Sequence, residues 1–193
     1  MDSYIPLVLA SASPRRLDLL RQIGVTPQKV ISADINETPL KNEKPGMLVN
    51  RLAAEKARTV SESVKEKAYI LAADTVVVMG GKVFGKPEDE SEARVFLERL
   101  SGRSHDVVGG ISLMAPDGTQ ISRVVTTRVK VKRLTDQEIE AYLSSNEWQG
   151  KAGGYGIQGP FAMYIKEIHG SYTNIVGLCV YNTRQMLVGQ GYL

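Results

Sequence analysis

The chain has 193 residues, and at the usual ~100–200 residues per domain this length makes a single domain over 1–193, at most one with two lobes. Apolar residues are 42% and charged residues 23% of the chain, a globular balance that excludes disordered, collagen-like and solenoid sequences. The net charge of +3 comes from 24 Lys and Arg interspersed with 21 Asp and Glu, without the basic stripe of a nucleic-acid binder.

At the N-terminus, Met1-Asp2-Ser3-Tyr4 carries an acid where a signal peptide carries basic residues, so a cytoplasmic protein is expected. A strand is predicted over 7–10. Ser13-Pro14 then supplies an N-cap and a proline at the first helical position, opening a helix that runs to Gly24. A second strand over 28–32, a polar loop over 33–44 and a helix from Pro45 to about Val60 follow. The strand over 68–79 contains the longest apolar run, which is far shorter than the ~18 residues of a membrane span. Gly80-Gly81 marks a hairpin turn to a strand over 82–84.

Pro87 and the acids Glu88, Asp89 and Glu90 open a third helix that ends at Leu100, with Ala93, Phe96, Leu97 and Leu100 as its buried stripe. Strands over 107–114 and 122–132 flank Ala115-Pro116-Asp117-Gly118, a hairpin signal. On the second of these strands Arg128, Lys130 and Lys132 mark a solvated face. Thr135-Asp136-Gln137-Glu138 is a capping box that starts a short helix. A glycine-rich loop over 151–160, whose Gly153, Gly154, Gly156 and Gly159 permit mobility, a strand over 161–168 and a terminal helix over 181–188 complete the chain. Hairpins and strand-helix units together predict an α/β protein with a mixed, twisted sheet and flanking helices.

Several residues are out of place for structure alone. Arg15 and Arg16 occupy the first turn of a helix, where the macrodipole disfavours cations, and Arg16 falls on the face of Leu19, Leu20 and Ile23. With the hydroxyls of Ser11 and Ser13 and the free N–H groups of the helix terminus, they suit a phosphate. An Arg paired with a buried carboxylate is the alternative. In the second helix Lys56 lies in the centre of the stripe Val49, Leu52, Ala53, Ala57 and Val60, to be explained by a partner or by snorkelling to the surface. Asp74 interrupts an apolar strand and needs a basic partner or a divalent metal.

Glu37 is a candidate companion carboxylate, and otherwise an ordinary loop acid. Lys86, in Gly85-Lys86-Pro87, is a candidate phosphate ligand or a solvated turn residue. In Tyr155-Gly156-Ile157-Gln158-Gly159, a Gln amide can pair with the edge of a base, although a plain turn explains the segment equally. The single Cys179 and the distant His105 and His169 argue against Cys- and His-based metal centres, so a metal here takes oxygen ligands. Together the set suits phosphoanhydride hydrolysis.

The blocks Leu9-Ala10-Ser11-Ala12-Ser13-Pro14-Arg15-Arg16, Ala53-Ala54-Glu55-Lys56-Ala57, Ala73-Asp74-Thr75, Gly85-Lys86-Pro87, Leu100-Ser101-Gly102-Arg103-Ser104-His105 and Lys151-Ala152-Gly153-Gly154-Tyr155-Gly156-Ile157-Gln158-Gly159 follow one another as in the Maf family of nucleotide pyrophosphatases, which the chain resembles over nearly its whole length. The family is historically associated with septum formation. The resemblance implies an elongated, two-lobed fold with a central cleft, related to the inosine triphosphate pyrophosphatases, and a homodimer.

The resemblance also implies cleavage of a nucleoside triphosphate between its α and β phosphates with a divalent cation, Mg²⁺ before Mn²⁺ or Co²⁺. By the same resemblance, Asp74 is the catalytic carboxylate, as general base or metal ligand, and Glu37 assists at the metal. Ser11, Arg15, Arg16, Lys56 and Lys86 hold phosphates. Pro14-Arg15, Asp74-Thr75 and Tyr155-Gly156-Ile157-Gln158 resemble the branch that prefers dTTP and UTP, which makes Arg15, Thr75 and Gln158 the base-specificity residues. Two positions depart from the family: Cys179 stands where proline is usual, relaxing the backbone without removing a chemical group, and Ala73 where glycine is common.

Three rival readings compete with this one: a non-catalytic nucleotide-binding regulator of division, the same hydrolysis directed at modified nucleotides, and a nucleic-acid binder.

Overall fold

The computed structural model describes residues 5–193; the reading of Met1-Asp2-Ser3-Tyr4 lies outside them. The elements are β1 (Leu7–Ala10), α1 (Pro14–Gln22), β2 (Lys29–Ile31), α2 (Pro45–Ser63), β3 (Tyr69–Met79), β4 (Lys82–Phe84), α3 (Glu90–Leu100), β5 (Ser104–Met114), β6 (Gln120–Val131), α4 (Asp136–Ser144), β7 (Ile165–His169), α5 (Tyr172–Val176) and α6 (Val180–Gly189). The strands form one mixed sheet of seven in the order β2-β1-β3-β5-β6-β7, with β4 paired to β3. β1 runs parallel to both β2 and β3, whereas β4 on β3 and β7 on β6 are antiparallel. This is the mixed α/β architecture expected, and no helix of the described residues is long and apolar enough to cross a membrane.

The chain divides into two compact units, one comprising the residues up to Asp74 with Gly109–Val125 and Gly177–Leu193, the other Thr75–Val108 with Thr126–Val176. In the first, α2 lays Leu48, Val49, Leu52, Ala53, Ala57 and Val60 inward. Ala57 and Val60 meet Val8, Ala10, Ile70 and Ala72 of β1 and β3 in one buried cluster. The backbone of α2 comes unusually close to β5. A Cβ on Gly110 would stand 2.2 Å from the carbonyl oxygen of Val49, so only glycine allows this approach. In the second unit, α3 packs against α4 and against the 3₁₀ turn Ala152–Gly154, burying Ala93, Leu97 and Leu100.

Beyond shifts of one to three residues at several element ends, these features differ from expectation. Ser13 caps α1 by position only; its N–H instead donates to Ser11 Oγ at 3.1 Å. α3 starts at Glu90, because the Asp89 carboxylate accepts from the Glu92 N–H and so takes the N-cap. β5 begins at Ser104, which puts His105 and Asp106 in the sheet. The strand expected over 161–168 is a 3₁₀ segment, Pro160–Tyr164, followed by the shorter β7; Pro160 at its first turn favours a helical start. The short helix α5 has no counterpart among the expected elements.

The capping box of α4 forms with both hydrogen bonds present. The charges Arg128, Lys130 and Lys132 are matched by Asp106, Glu167 and Glu138 at 2.8, 2.9 and 2.6 Å.

Candidate active site

The arginines at the start of α1 are placed by the strand before it. β1 ends at Ala10 in the middle of the sheet, so Ser11 is buried (4% exposed) and its hydroxyl accepts from both the Ser13 N–H and the Arg16 guanidinium, the latter at 3.0 Å. A second bond runs from Arg16 Nε to the Gly177 carbonyl at 3.0 Å. Burial pushes the Arg16 guanidinium below its ordinary pKa; Asp74 pulls it back up, Arg15 adds to the push and Glu37 opposes it. Arg16 therefore lies within electrostatic reach of both carboxylates singled out in the sequence. Arg16 is thus bonded to a hydroxyl and a carbonyl and feels both carboxylates.

Lys56 does not snorkel. The helical stripe of α2 carries it inward to 8% exposure, where its ammonium donates to Asp74 Oδ1 at 2.7 Å and pairs with Glu37 Oε1 at 2.6 Å. Asp74, 7% exposed, is the last residue of β3 in this unit. Its need for a partner is met by Lys56, so the basic-partner alternative describes it. The Glu37 side chain is half exposed, on the loop before α2. That loop is attached to α2 a second time by Arg51, which donates through Nε and one terminal nitrogen to both oxygens of Glu43, each at 2.8 Å, and through the terminal nitrogen to the Thr38 carbonyl.

One helix thus supplies two cations that fix the loop and leaves two carboxylates facing a single ammonium. Their oxygens are the hard anionic donors that Mg²⁺ takes, usually one or two carboxylates completed by substrate phosphates and water. No group of three or more His, Cys, Asp or Glu able to hold a metal occurs among the described residues. The donor set therefore suits a metal completed by substrate and water and does not suit an all-protein cage.

The structure thus brings together Ser11, Arg16, Glu37, Lys56 and Asp74 within the first unit. Arg15, next to Arg16, is half-buried and makes no ion pair among the described residues. Lys86, Thr75 and Gln158 belong to the second unit. There Lys86 and Gln158 are exposed and Thr75 is half-buried.

Sequence reasoning gave no role to the pair His105 and Tyr155. The imidazole Nε2 lies 2.7 Å from the Tyr155 hydroxyl with His105 2% exposed. Burial pushes the histidine down to about 4 and the phenol of Tyr155 up. The signal available was a histidine early in a strand, which alternates no differently from its neighbours.

Gly153 and Gly154, which permit mobility in the 151–160 loop, also serve close packing. Gly153 has φ +71° and a Cβ there would stand 2.8 Å from Val77, while Gly154 lies against Pro87 and Ala93. Cys179 sits buried at the N-cap position of α6, its sulfur accepting from Asn182 Nδ2.

Residues 6–190 match the family described as Maf-like protein. A dTTP/UTP pyrophosphatase of Hyphomonas neptunium is 52% identical over 192 residues, covering 100% of this chain and 99% of its own. The proteins of the same name from Paramagnetospirillum magneticum and Caulobacter vibrioides are 56% and 51% identical, each over 186 residues and 96% of this chain, covering 97% and 96% of their own lengths. Among solved structures, the Ham1 protein of Staphylococcus aureus aligns over 65% of this chain and 71% of its own at 17% identity with a TM-score of 0.46, too loosely to bear on the fold or the site. By the family match and the end-to-end relatives, the chain belongs to the Maf family.

Proposed function

We propose that this protein is a nucleoside triphosphate pyrophosphatase that hydrolyses dTTP and UTP to the monophosphate and pyrophosphate. The observation that carries this reading is the buried Lys56 ammonium held between Asp74 and Glu37, within electrostatic reach of Arg16. A buried cation-carboxylate cluster of this kind, opening from a half-exposed loop acid, is a place for a charged substrate to exchange partners. The substrate class is supported by relatives named dTTP/UTP pyrophosphatase at 51–56% identity across the chain.

The chemistry is in-line displacement at the α phosphorus. A water oxygen forms the new P–O bond, the bond to the α–β bridging oxygen breaks, and pyrophosphate leaves with that oxygen. Positioning and charge neutralisation supply most of the catalysis in such reactions. Asp74 is the catalytic carboxylate and receives the proton that the attacking water loses. Lys56, Arg16 and Arg15 neutralise phosphate oxygens, Ser11 orients Arg16, and Lys86 serves as a further phosphate ligand. Asp74 and Glu37 are the residues that would hold Mg²⁺, or Mn²⁺ or Co²⁺ in its place; when bound, the ion polarises phosphoryl oxygens and offsets developing charge.

Base choice is assigned to Arg15, Thr75 and Gln158, whose exposed amide offers a donor and an acceptor to a pyrimidine edge. The proposed setting is a cytoplasmic homodimer; light scattering of the purified protein checks its mass in solution.

The deciding experiment is pyrophosphate release from a panel of canonical and modified triphosphates, with and without Mg²⁺, for wild type beside Asp74→Asn. Release from dTTP and UTP that needs the metal and falls by about 10²–10⁴-fold in the variant is expected. Near-normal turnover by Asp74→Asn overturns the assignment of that carboxylate. Absence of release from every triphosphate overturns the enzyme.

A further inference from the structure

Gln158 stands at the end of a run in which every preceding backbone position is fixed. The Gly153 N–H donates to the Gly85 carbonyl at 2.8 Å and the Gly154 N–H to the Lys151 carbonyl at 3.0 Å. At the next residue the Tyr155 hydroxyl meets His105 Nε2, with the two rings edge to face at 5.4 Å and 80°. The Tyr155 ring also lies on Phe161 at 4.6 Å. The Gly156 N–H donates to the Tyr142 hydroxyl at 3.1 Å, Ile157 is 6% exposed, and the Gly159 N–H closes a turn onto the Gly156 carbonyl. Only the Gln158 side chain is left to solvent.

The His105–Tyr155 bond is an uneconomical way to fill a core. His105 Nδ1 is buried with no hydrogen-bond partner among the described residues. If the phenol donates to Nε2, the Nδ1–H is stranded; if Nε2–H donates to the phenol, the phenolic hydrogen is. Either tautomer leaves one polar hydrogen without an acceptor, and an apolar pair of similar shape removes that penalty. Such a local conflict is expected where orientation matters more than stability. Because burial keeps His105 neutral down to about pH 4, the pair sets direction without bringing a charge to the loop.

We propose that His105 and Tyr155 are positioning residues for base selection: their hydrogen bond and ring contacts fix residues 155–157 and so set where Gln158 presents its amide to the pyrimidine. The proposal rests on the reading of Gln158 given above.

The test compares wild type with Tyr155→Phe, His105→Gln, His105→Phe and Gln158→Ala by two measurements. The first is kcat/KM for dTTP relative to dGTP, with inhibition by inorganic tripolyphosphate as a probe that has no base. The second is amide hydrogen exchange over residues 153–159. In Tyr155→Phe and His105→Phe the dTTP preference is expected to fall about tenfold through KM, with the tripolyphosphate inhibition constant and kcat held within about twofold; each single variant leaves the other group's polar atom buried and unpaired and melts lower, whereas the double variant Tyr155→Phe with His105→Phe recovers that loss of stability without recovering the preference. Exchange at 155–158 is expected to quicken. His105→Gln, which keeps a hydrogen-bonding group for the phenol, restores the preference. An unchanged preference in both phenylalanine variants overturns the proposal, as does unchanged exchange.

Where wild type releases no pyrophosphate, the same ratio is read from equilibrium binding of dTTP and dGTP. A ratio that falls in the variants then retains the positioning role while the hydrolytic reading fails. A ratio that does not move overturns the positioning role as well.

Discussion

Lys56 and His105 are both titratable side chains that the fold takes out of water, and they are handled in opposite ways. Around Lys56, charge meets opposite charge: two carboxylates share one ammonium, and a second cation, Arg16, stands within electrostatic reach. Around His105 there is no ion pairing: burial holds the ring neutral against the pull of Asp106, and its Nε2 meets the Tyr155 phenol, the two rings edge to face. Ion pairs can be traded for pairs with an incoming polyanion, because each partner remains charged when released. An apolar cage with one directed bond has nothing to trade, and serves shape.

The largest expected effect breaks the ionic side of this contrast. Lys56→Met leaves the Asp74 carboxylate buried without its ammonium, and removing one partner of a buried pair costs about 3–5 kcal/mol. Urea titration checks this, and the double variant Lys56→Met with Asp74→Asn should recover much of the loss, since the removed groups interact directly.

Next in size is a pH effect on the aromatic side. The unfolded chain protonates His105 near 6.5, whereas the folded protein resists until about 4. As pH falls through that window the unfolded state takes up a proton that the native state refuses. Stability is therefore full above about pH 6.5, declines toward pH 4 by up to about 3 kcal/mol, and levels off below. Melting curves of wild type minus His105→Gln isolate this slope; equal slopes would remove the claim that His105 is kept neutral.

The smallest concerns the loop that both glycines and rings support. Gly153→Ala meets Val77 at 2.8 Å in a left-handed backbone, for a loss of about 1–3 kcal/mol. Calorimetry reads it, and the dTTP preference of that variant shows whether the loop tolerates displacement upstream of Tyr155.

The same contrast explains what could be read from the sequence. Arg16, Lys56 and Asp74 each break a local pattern, a charge in an apolar stripe or strand, and a broken pattern is visible without a partner. Glu37 breaks none; it stands only as a candidate companion to Asp74 beside the plain reading of a loop acid, and the family resemblance is what gives it a role at the metal. His105 and Tyr155 are 50 residues apart and ordinary in their elements, so nothing local reports that they meet. Most elements followed from periodicity and caps. One exception is α5, which nothing in the sequence reading anticipated; another, Pro160–Tyr164, is an apolar run without a clear period, which a strand and a tight helical turn fit equally well, and the proline alone distinguished them. The glycines of the 151–160 loop were legible as glycines but not as contacts, because close approach depends on Val77 and Ala93 from other elements.

The loop over residues 33–44 is fastened to α2 largely by charge, and its two fastenings are unequal. Arg51 grips both oxygens of Glu43, holding that carboxyl down at about 2. Lys56 pairs with Glu37, whose side chain is half exposed. Mobile ions screen exposed pairs over about 10 Å at 0.1 M and about 3 Å at 1 M ionic strength. Rising salt therefore loosens the Glu37 end first, while the Glu43 end and the apolar core remain. Ionic strength becomes a control on the Glu37 end of the loop that leaves the melting of the fold largely untouched, and a concentrated polyanion acts on that same end with far greater local strength.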